Sequence, residues 1–379
     1  LYLSRAWTNY RGGMGETIES LMAVQTAKDV DEFTTNISNI AISANWLVAD
    51  KLGQIAYQQS GRAPKRKGHG LVPLEAWKKE NLWSGRVPTN ELEHIKNPSE
   101  GYLSSANNDI KNTKCKSQLI NLPMGPYRND RIKDVLSGLT EIESDAMKNL
   151  QNDLYSLQAE QFLEILEGEF PETPLGQTLK SWDCHYSVES IEATLFESFY
   201  KNLLLETFGA NFFGENSIRF LMRETSTLTD YYHLFDRILL TQDQDTLELW
   251  FGGVAKRKEL FQKCLSITLS KSNSYQLLPW GQVNTVTMKN IFFQGKLPAI
   301  FGFDHGPIGL PGGRATIVQG AVYKAHGRES SFAPSWRMIA DLSESCIHTV
   351  LAGGVSDRKF SPDYKLEISC LLYTSPSPR

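Results

Sequence analysis

The alternation of hydrophobic and polar residues over 41–64 predicts two strands joined by a tight turn. Residues 43–49 and 54–57 each alternate loosely between small polar and apolar side chains. The segment Asp50-Lys51-Leu52-Gly53 lies between them, and Gly53 can adopt the positive φ that the corner of a hairpin often needs. We therefore expect a β-hairpin around which the neighbouring segments are arranged.

Helical spacing of apolar residues precedes this hairpin. It predicts one helix over 18–25 and a second over 30–37, with a break near 28–31. Either Asp29 or Asp31 is expected to cap the second helix. Residues 61–125 are rich in Pro, Gly, Asn and Lys, so we expect a long irregular region that is functional or wraps over another part of the fold.

The middle of the chain, about 140–275, is expected to be helical. Periodicity predicts helices over 128–137, 140–156, 158–166, 188–208, 216–224 and 247–269. Thr140 and Glu143 have the spacing of a capping box. Breaks are expected at Pro171, Pro174, Gly209 and Gly214, and an interruption of the last helix at Gly252-Gly253.

Strand-like patterns return after Trp280. They cover 283–288, 316–322 and 336–342, and the Gly- and Pro-rich segment 306–313 between them is interpreted as turns. It has no Lys-Ser/Thr pair, so we do not interpret it as a nucleotide site. Strands, then helices, then strands without βαβ alternation predict the α+β class.

Composition supports a folded protein and excludes some partners. The 379 residues are 41% hydrophobic with a net charge of −4, which gives no reason to expect nucleic acid or an anionic membrane as a partner. No apolar run is long enough to span a bilayer. The five cysteines lie far apart and are interpreted as small buried apolar residues, with one disulfide among them, of a pair that the sequence does not choose, as the alternative.

Both ends of the sequence have features expected of a fragment. Leu1 is neither an initiator Met nor the start of a signal peptide, so we expect the chain to be a fragment. Residues 1–369 are interpreted as one region. Residues 370–379 resemble the translation of a sequencing adapter, and a disordered Ser/Pro tail is the alternative.

Several polar groups invite a catalytic interpretation. We expect His69 to have a structural role in its loop. We expect the pairs Asp304-His305 and Asp183/His185 to be structural or exposed, since lone acid–base pairs of this kind usually are. The basic run 65–67 is expected to be a solvated loop. Trp46 and Trp336 are expected to pack in the core, with an aromatic lining for a bound group as the alternative.

A series of motifs resembles the β-chain of the penicillin acylase family, which belongs to the N-terminal-nucleophile hydrolases. The motifs are Ser4-Arg5-Ala6-Trp7, Asn45-Trp46-x-x-Ala49-Asp50-x-x-Gly53-x-Ile55-x-Tyr57, Gly61-x-x-Pro64, Gly68-His69, Asn97-Pro98-x-x-Gly101-Tyr102, Asn107-Asn108, Tyr127-Arg128-x-x-Arg131-Ile132, Gly312-Gly313-x-x-Thr316, Ser335-x-Arg337-Met338-x-x-Asp341, Gly353-Gly354-x-Ser356 and Ser361-Pro362-x-Tyr364. In order and spacing they cover most of residues 4–364. Val355 and Asp357 depart from the residues usual in the family.

This resemblance implies part of a four-layer αββα fold made by a precursor that cleaves itself. The new β-chain then begins with a serine whose own α-amine accepts the hydroxyl proton, and the hydroxyl attacks an amide carbonyl. The family's nucleophile stands upstream of the motif at residues 4–7, so we expect it to lie outside this chain. The α-chain and the first part of the β-chain are the implied partners, and this chain alone is expected to be inactive.

Three residues of the chain match the family's supporting groups. Asn107 matches the asparagine whose amide forms part of the oxyanion hole, although Asn-Asn-Asp is also ordinary turn chemistry. Arg128 and Arg131 both lie in the segment that supplies an arginine near the active site, and the sequence does not choose between them. Asn108 is expected to be structural.

The resemblance implies hydrolysis of an N-acyl amine, such as a β-lactam side chain or an acyl-homoserine lactone, without a cofactor. Some family members hold a structural calcium, whose ligands are not evident in this chain, so no metal is predicted here. The family is mainly periplasmic or secreted in bacteria. The alternatives are a non-catalytic binding or structural relative that keeps the fold and, more distantly, an enzyme of another α+β class.

Overall fold

The computed structural model describes residues 2–8, 13–68, 70–110, 115, 119–224, 230–273, 277–320, 329–330, 333–344, 347–373 and 377–378. The chain divides into two compact units, Leu1–Pro123 and Met124–Arg379. We call them the N-terminal unit and the C-terminal unit and describe each by itself.

The predicted hairpin is confirmed in the N-terminal unit. Strands β1 (Ala44–Ala49) and β2 (Ile55–Ser60) pair antiparallel, and β3 (His94–Lys96) pairs antiparallel with the other side of β2. The turn is closed by Asp50, whose Oδ1 accepts the backbone N–H groups of Leu52 and Gln54, each at 2.9 Å. Gly53 takes a φ of +80°, as the turn requires.

The two helices before the hairpin form with the predicted break. Helix α1 covers Met14–Val24 and α2 covers Val30–Ser38. Of the two capping candidates Asp29 is the N-cap, since its Oδ1 accepts the N–H of Glu32 at 2.8 Å. The region after β2 is largely irregular, with 3₁₀ turns at Lys79–Asn81 and Thr89–Glu91. The short strand β3 was not predicted, because three residues are too few to show alternation.

The C-terminal unit begins with a helical region. Its helices are α3 (Tyr127–Ser137), α4 (Ser144–Gln151), α5 (Leu157–Glu164), α6 (Pro174–Lys180), α7 (Ile191–Leu204), α8 (Glu215–Glu224), α9 (Tyr232–Leu239), α10 (Gln244–Phe251), α11 (Val254–Asn273) and α12 (Trp280–Val283). They surround an aromatic core that includes Phe162, Phe196, Phe199, Tyr200 and Phe261, all fully buried. Edge-to-face and stacked ring contacts in this cluster give it a defined packing.

Some predicted helix boundaries are wrong. The capping box at Thr140 does not form: α4 begins at Ser144, and Glu143 is an N-cap without a side-chain hydrogen bond. Helix α3 ends at Ser137, so residues 138–143 connect it to α4 and are not part of either helix. Pro174 does not break a helix but starts one, because proline fits the first helical position, and Thr173 caps it.

The glycines act differently from one another. Helix α7 continues through Gly209 as a π-helix over Leu205–Phe213, so the break predicted at Gly209 is wrong. Gly214, with φ of +83°, ends this segment. Gly252 and Gly253, with φ of +74° and +107°, separate α10 from α11, which confirms the predicted interruption.

Two three-stranded sheets follow the helices. One contains β4 (Thr285–Met288) between β5 (His305–Gly309) and β6 (Glu329–Ser330), and the other contains β8 (Ile347–Leu351) between β7 (Trp336–Ala340) and β9 (Ser377–Pro378). A last helix, α13, covers Ile368–Tyr373. The order of strands, helices and strands confirms the α+β class.

Three expectations in this region are corrected. Residues 305–309 form a strand, so the turn interpretation of 306–313 is wrong for that part. The described residues of 316–322 form turns, in which Thr316 Oγ1 accepts the N–H of Gly313 at 2.8 Å and donates to the carbonyl of Val318 at 2.6 Å. Trp336 is 54% exposed, because the alternation of β7 turns Arg337 and Ile339 inward instead.

Candidate functional site

Asn107 lies in an exposed turn of the N-terminal unit with its backbone in the left-handed region, at φ +63°. Asparagine tolerates this conformation better than most residues. The neighbouring Asn108 holds the turn: its Oδ1 accepts the N–H of Ala106 at 3.1 Å, and its Nδ2 donates to the carbonyl of Asp109 at 3.3 Å. Asn108 therefore serves the loop backbone, and Asn107 is the exposed member of the pair.

The turn is attached to the hairpin by a short chain of side chains. Ser105 Oγ accepts a hydrogen bond from Asn45 Nδ2 at 3.2 Å, and Asn45 Oδ1 accepts one from the Tyr57 hydroxyl at 2.7 Å. Burial and the nearby Glu93 raise the pKa of Tyr57, so its hydroxyl remains a donor at neutral pH. Strands β1 and β2 thus set the position of the segment that carries Asn107.

The other end of the loop is fixed to the same hairpin. Asn97 adopts φ +46°; its Oδ1 accepts the N–H of Ile55 at 2.9 Å, and its own N–H donates to the Ile55 carbonyl at 2.9 Å. Gly101, at φ +76°, closes a turn by donating to the carbonyl of Pro98 at 3.0 Å. The loop from Asn97 to Asn108 is therefore anchored at both ends, which favours a preset orientation of its polar side chains.

The two candidate arginines lie on α3 of the C-terminal unit and have different surroundings. Arg131 is committed to Asp153: its Nε and Nη2 donate to Asp153 Oδ2 at 3.1 and 2.7 Å, and its guanidinium lies 4.5 Å from the ring centroid of Tyr155. Arg128 is half-buried, with its Nη2 3.6 Å from Met124 Sδ, and burial lowers its pKa. The geometry of Arg131 supports a structural role.

A buried polar network holds the residue next to Arg128. Asp236 is fully buried, and its carboxylate accepts hydrogen bonds from the hydroxyls of Tyr127 and Tyr200, at 3.0 and 2.7 Å, and from Gln158 Nε2 at 2.6 Å. Tyr127 begins α3 immediately before Arg128. Asp236 was not among the residues predicted from the sequence, although residues 232, 236 and 239 are spaced as one buried helix face, which places an aspartate among apolar side chains.

A buried ion pair adjoins this network. Arg314 pairs with Glu197, its guanidinium lies 4.6 Å from the ring centroid of Tyr200, and the Tyr186 hydroxyl donates to Glu197 Oε1 at 2.9 Å. Nearby Glu197 raises the pKa of Arg314 against the effect of burial, so the guanidinium stays charged. The sequence could not show this pairing, because the partners are far apart along the chain.

The Asp236 carboxyl predicts a pH effect on stability. Burial raises its pKa from 3.8 to about 6, despite the three hydrogen bonds that oppose the shift. The folded protein binds this proton more tightly than the unfolded chain does. The contribution of the protonated carboxyl to the free energy of unfolding is therefore complete below about pH 4 and is lost as the pH rises through about 6. We expect the stability advantage of the wild type over Asp236→Asn to fall by about 2 kcal/mol between these pH values, measured by urea denaturation.

Asp243 provides a matched control of opposite sign. It caps α10, and its hydrogen bonds with Thr246 lower its pKa. The advantage of the wild type over Asp243→Asn should therefore be present above the unfolded pKa and decline as the pH falls. A wild-type advantage over Asp236→Asn that grows with pH would contradict the role given to the buried carboxyl.

The remaining candidates have no catalytic geometry in the described part of the chain. His185 Nδ1 lies 2.9 Å from the carbonyl oxygen of Asp183, and both side chains are exposed. Asp304 Oδ1 accepts the N–H of Asn290 at 2.8 Å, and burial and Lys365 lower the pKa of His305. His69 lies outside the described residues.

The described cysteines differ in their burial. Cys184 and Cys264 are buried, as expected, and burial raises the pKa of each thiol to about 12. Cys115 and Cys370 are only half-buried, and Cys346 lies outside the described residues. Among the residues that the structure describes, no group of three or more His, Cys, Asp or Glu side chains is arranged to hold a metal ion. None of the described helices has the length and hydropathy of a membrane span.

Comparison with known proteins gives a consistent result. The sequence model of the family described as penicillin amidase matches residues 3–369. An acyl-homoserine lactone acylase of Pseudomonas fluorescens (strain Pf0-1), QuiP, is 23% identical over 92% of this chain and 45% of its own length. Penicillin G acylase of Escherichia coli is 28% identical over 48% of this chain and 22% of its own length.

A solved structure shows the same fold. The thermostable penicillin G acylase from Alcaligenes faecalis matches with a TM-score of 0.65 and 14% sequence identity, over 97% of this chain and 70% of that chain. The chain spans less than half the length of the curated relatives named above.

Proposed function

The chain belongs to the penicillin amidase family of N-terminal-nucleophile hydrolases, and we propose that it is part of a self-processing enzyme that hydrolyses the linear amide bond of an N-acyl substrate. Relatives are named as acylases of penicillins and of acyl-homoserine lactones, so we propose a substrate of this class. The proposed partners are an α-chain and the N-terminal part of the β-chain from the same precursor, and the proposed location is periplasmic or secreted.

In the proposed mechanism an N-terminal serine outside this chain attacks the amide carbonyl. Its α-amine takes the hydroxyl proton, the new C–O bond forms, and negative charge develops on the carbonyl oxygen. Collapse of this intermediate breaks the C–N bond and releases the protonated amine. Water then hydrolyses the acyl-enzyme by the same sequence, so the bond-breaking steps need no cofactor.

The single observation that supports this role most directly is the placement of Asn107. A neutral amide donor serves an oxyanion best when its direction is fixed before the reaction, because no reorganisation is then needed. The turn that carries Asn107 is fixed to β1 through the hydrogen bond between Ser105 and Asn45, and Asn107 is exposed in it. We propose that Asn107 Nδ2 donates to the developing oxyanion.

Of the two arginines we propose Arg128 for the site. Arg131 gives its fork of donors to Asp153, which leaves it as a support for α3. Arg128 occupies the first turn of the same helix, next to the residue that Asp236 holds. A permanently charged guanidinium there can orient the terminal amine of the nucleophile or the substrate.

The test is the activity of the complete precursor, expressed from a reading frame extended upstream of Leu1. We expect the processed protein to release the acyl group from a chromogenic N-acyl amine, and the 379-residue chain alone to release none. Absence of turnover in a correctly processed precursor, across penicillin-type and acyl-homoserine-lactone substrates, would instead favour the non-catalytic relative. Turnover by the chain alone would contradict the assignment of the nucleophile.

The same assay, together with urea unfolding, distinguishes the roles of Arg128 and Arg131. Arg128→Lys should lower kcat by about tenfold or more, because a lysine lacks the fixed fork of donors, while the midpoint of urea unfolding changes little. Arg131→Lys should lower the unfolding midpoint, because it breaks the paired contact with Asp153, while the folded fraction keeps its kcat. The reverse pattern would assign the site to Arg131.

A further inference from the structure

A cavity in the helical region is unrelated to the residues discussed so far. Its volume is about 550 Å³, within the range of small-molecule sites. The lining residues come from α5, the segment after α9 and the start of α11: Gln161, Glu164, Ile165, Leu240, Gln242, Val254, Arg257 and Lys258. The site assigned to the proposed hydrolysis uses none of them.

The buried side of this cavity carries the guanidinium of Arg257, which has no ion-pair partner among the described residues. Arg257 is 5% exposed, and its Nη1 donates to the backbone carbonyls of Thr241 and Leu239, at 2.5 and 3.5 Å. Its Nε is buried without a hydrogen bond, and within the described residues no carboxylate lies within 4 Å of the guanidinium. A buried charge of this kind is costly unless an opposite charge accompanies it.

The helix that carries Arg257 adds positive potential. Helix α11 is 20 residues long, has no acidic residue in its first turn and carries the basic run Lys256-Arg257-Lys258 from its third residue onward. The N-terminus of a helix favours negative charge, and its first N–H groups lack acceptors within the helix. These cations therefore stand where an anion is favoured.

The rim of the cavity carries further hydrogen-bond donors and one carboxylate that would repel a bound anion. The exposed amides of Gln161 and Gln242 line the opening, and Lys258 Nζ lies 2.7 Å from Glu169 Oε1. Glu164 is the acidic side chain of the lining; it is exposed and lies more than 4 Å from Arg257. An incoming oxyanion would take the position nearest Arg257, and Glu164 would oppose it from the rim.

We propose that this cavity binds a phosphate group, free or carried by a small molecule, through Arg257 and the N-terminus of α11. Arg257 supplies positive charge to the phosphate while its Nη1 stays bonded to two backbone carbonyls, and a helix N-terminus adds backbone N–H groups. The cavity is far larger than a phosphate group alone, which favours a phosphate monoester as the occupant. The ligand would neutralise the buried cation and connect α9 to α11.

The experiment compares thermal unfolding of the 379-residue chain in sodium phosphate and in sodium chloride of equal ionic strength. We expect phosphate, on the order of tens of millimolar, to raise the midpoint by about 3 °C, and glycerol phosphate to do so at lower concentration. An equal response to the two compounds would assign free phosphate as the ligand. Identical midpoints in phosphate, the monoester and chloride would overturn the proposal.

Variants locate the effect. Arg257→Gln should abolish the phosphate response, and Gln242→Glu, at an exposed position, should abolish it by supplying a fixed counter-charge while raising the midpoint in chloride. Glu164→Gln should enlarge the response by removing the carboxylate that repels the anion. Arg219→Gln, at an exposed arginine paired with Glu215 on α8, is the control and should keep the phosphate response.

A phosphate response that survives both Arg257→Gln and Gln242→Glu would overturn the site. If Arg257→Gln does not fold, the responses of Gln242→Glu and Glu164→Gln decide whether phosphate binds at this site.

Discussion

Replacing Asn107 by glycine is expected to lower kcat of the complete, processed enzyme by about 100- to 1,000-fold with little change in KM, because the lost donor acts on the oxyanion in the transition state. Glycine is the informative replacement, since it accepts the left-handed conformation that Asn107 adopts at φ +63°. The measurement is steady-state hydrolysis of a chromogenic N-acyl amine.

The same variant separates the two explanations for this asparagine. If Asn107 is present only because the turn needs positive φ, Asn107→Gly keeps full activity. If it is a donor, Asn107→Gly is impaired and Asn107→Asp is impaired further, because a carboxylate repels the developing charge. Asn90→Ala, at an exposed position in a 3₁₀ turn of the same unit, is the control and should leave kcat unchanged.

Removing the carboxylate of Glu197 is expected to destabilise the C-terminal unit by about 3–5 kcal/mol, because it leaves the buried Arg314 guanidinium without its counter-charge. The Tyr186 hydroxyl loses its acceptor in the same substitution. The free energy of unfolding of Glu197→Ala, measured by urea denaturation followed by tryptophan fluorescence, gives this value.

An exposed ion pair provides the comparison. Glu215 pairs with Arg219 one turn along α8, and both side chains are more than half exposed. Glu215→Ala should cost about 0.5 kcal/mol or less, since solvent screens such pairs. The double variant Glu197→Met/Arg314→Met should recover part of the loss, because no lone charge remains. Equal costs for Glu197→Ala and Glu215→Ala would contradict the buried pairing.

Features that depend on neighbours along the chain could be predicted from the sequence. The hairpin follows from alternation and from the turn residues Asp50 and Gly53, and the cap at Asp29 follows from its place before a helical pattern. The separation of α10 from α11 at Gly252-Gly253 is of the same kind. In each case the atoms that decide the conformation lie within a few residues of one another.

Features that depend on contacts between distant parts of the chain could not be predicted from the sequence. Thr316 lies in a pattern typical of a strand, yet its hydroxyl closes a turn in which the carbonyl of Val318 is the acceptor. Arg131 and Arg128 have the same character in the sequence, and only the position of Asp153 on a later segment distinguishes them. The resemblance to a family identified Asn107, but the attachment of its turn to Asn45 required the folded hairpin.

Strand β1 forms one border of its sheet in the described chain, and this has a consequence for handling the protein. Its sequence, Ala44–Ala49, contains neither charge nor proline, the two devices that most often prevent a border strand from recruiting another. Asp50 and Lys51 follow it directly and act as gatekeepers at one end. At high concentration we therefore expect this six-residue stretch to be a place where two copies of the chain can pair strand to strand.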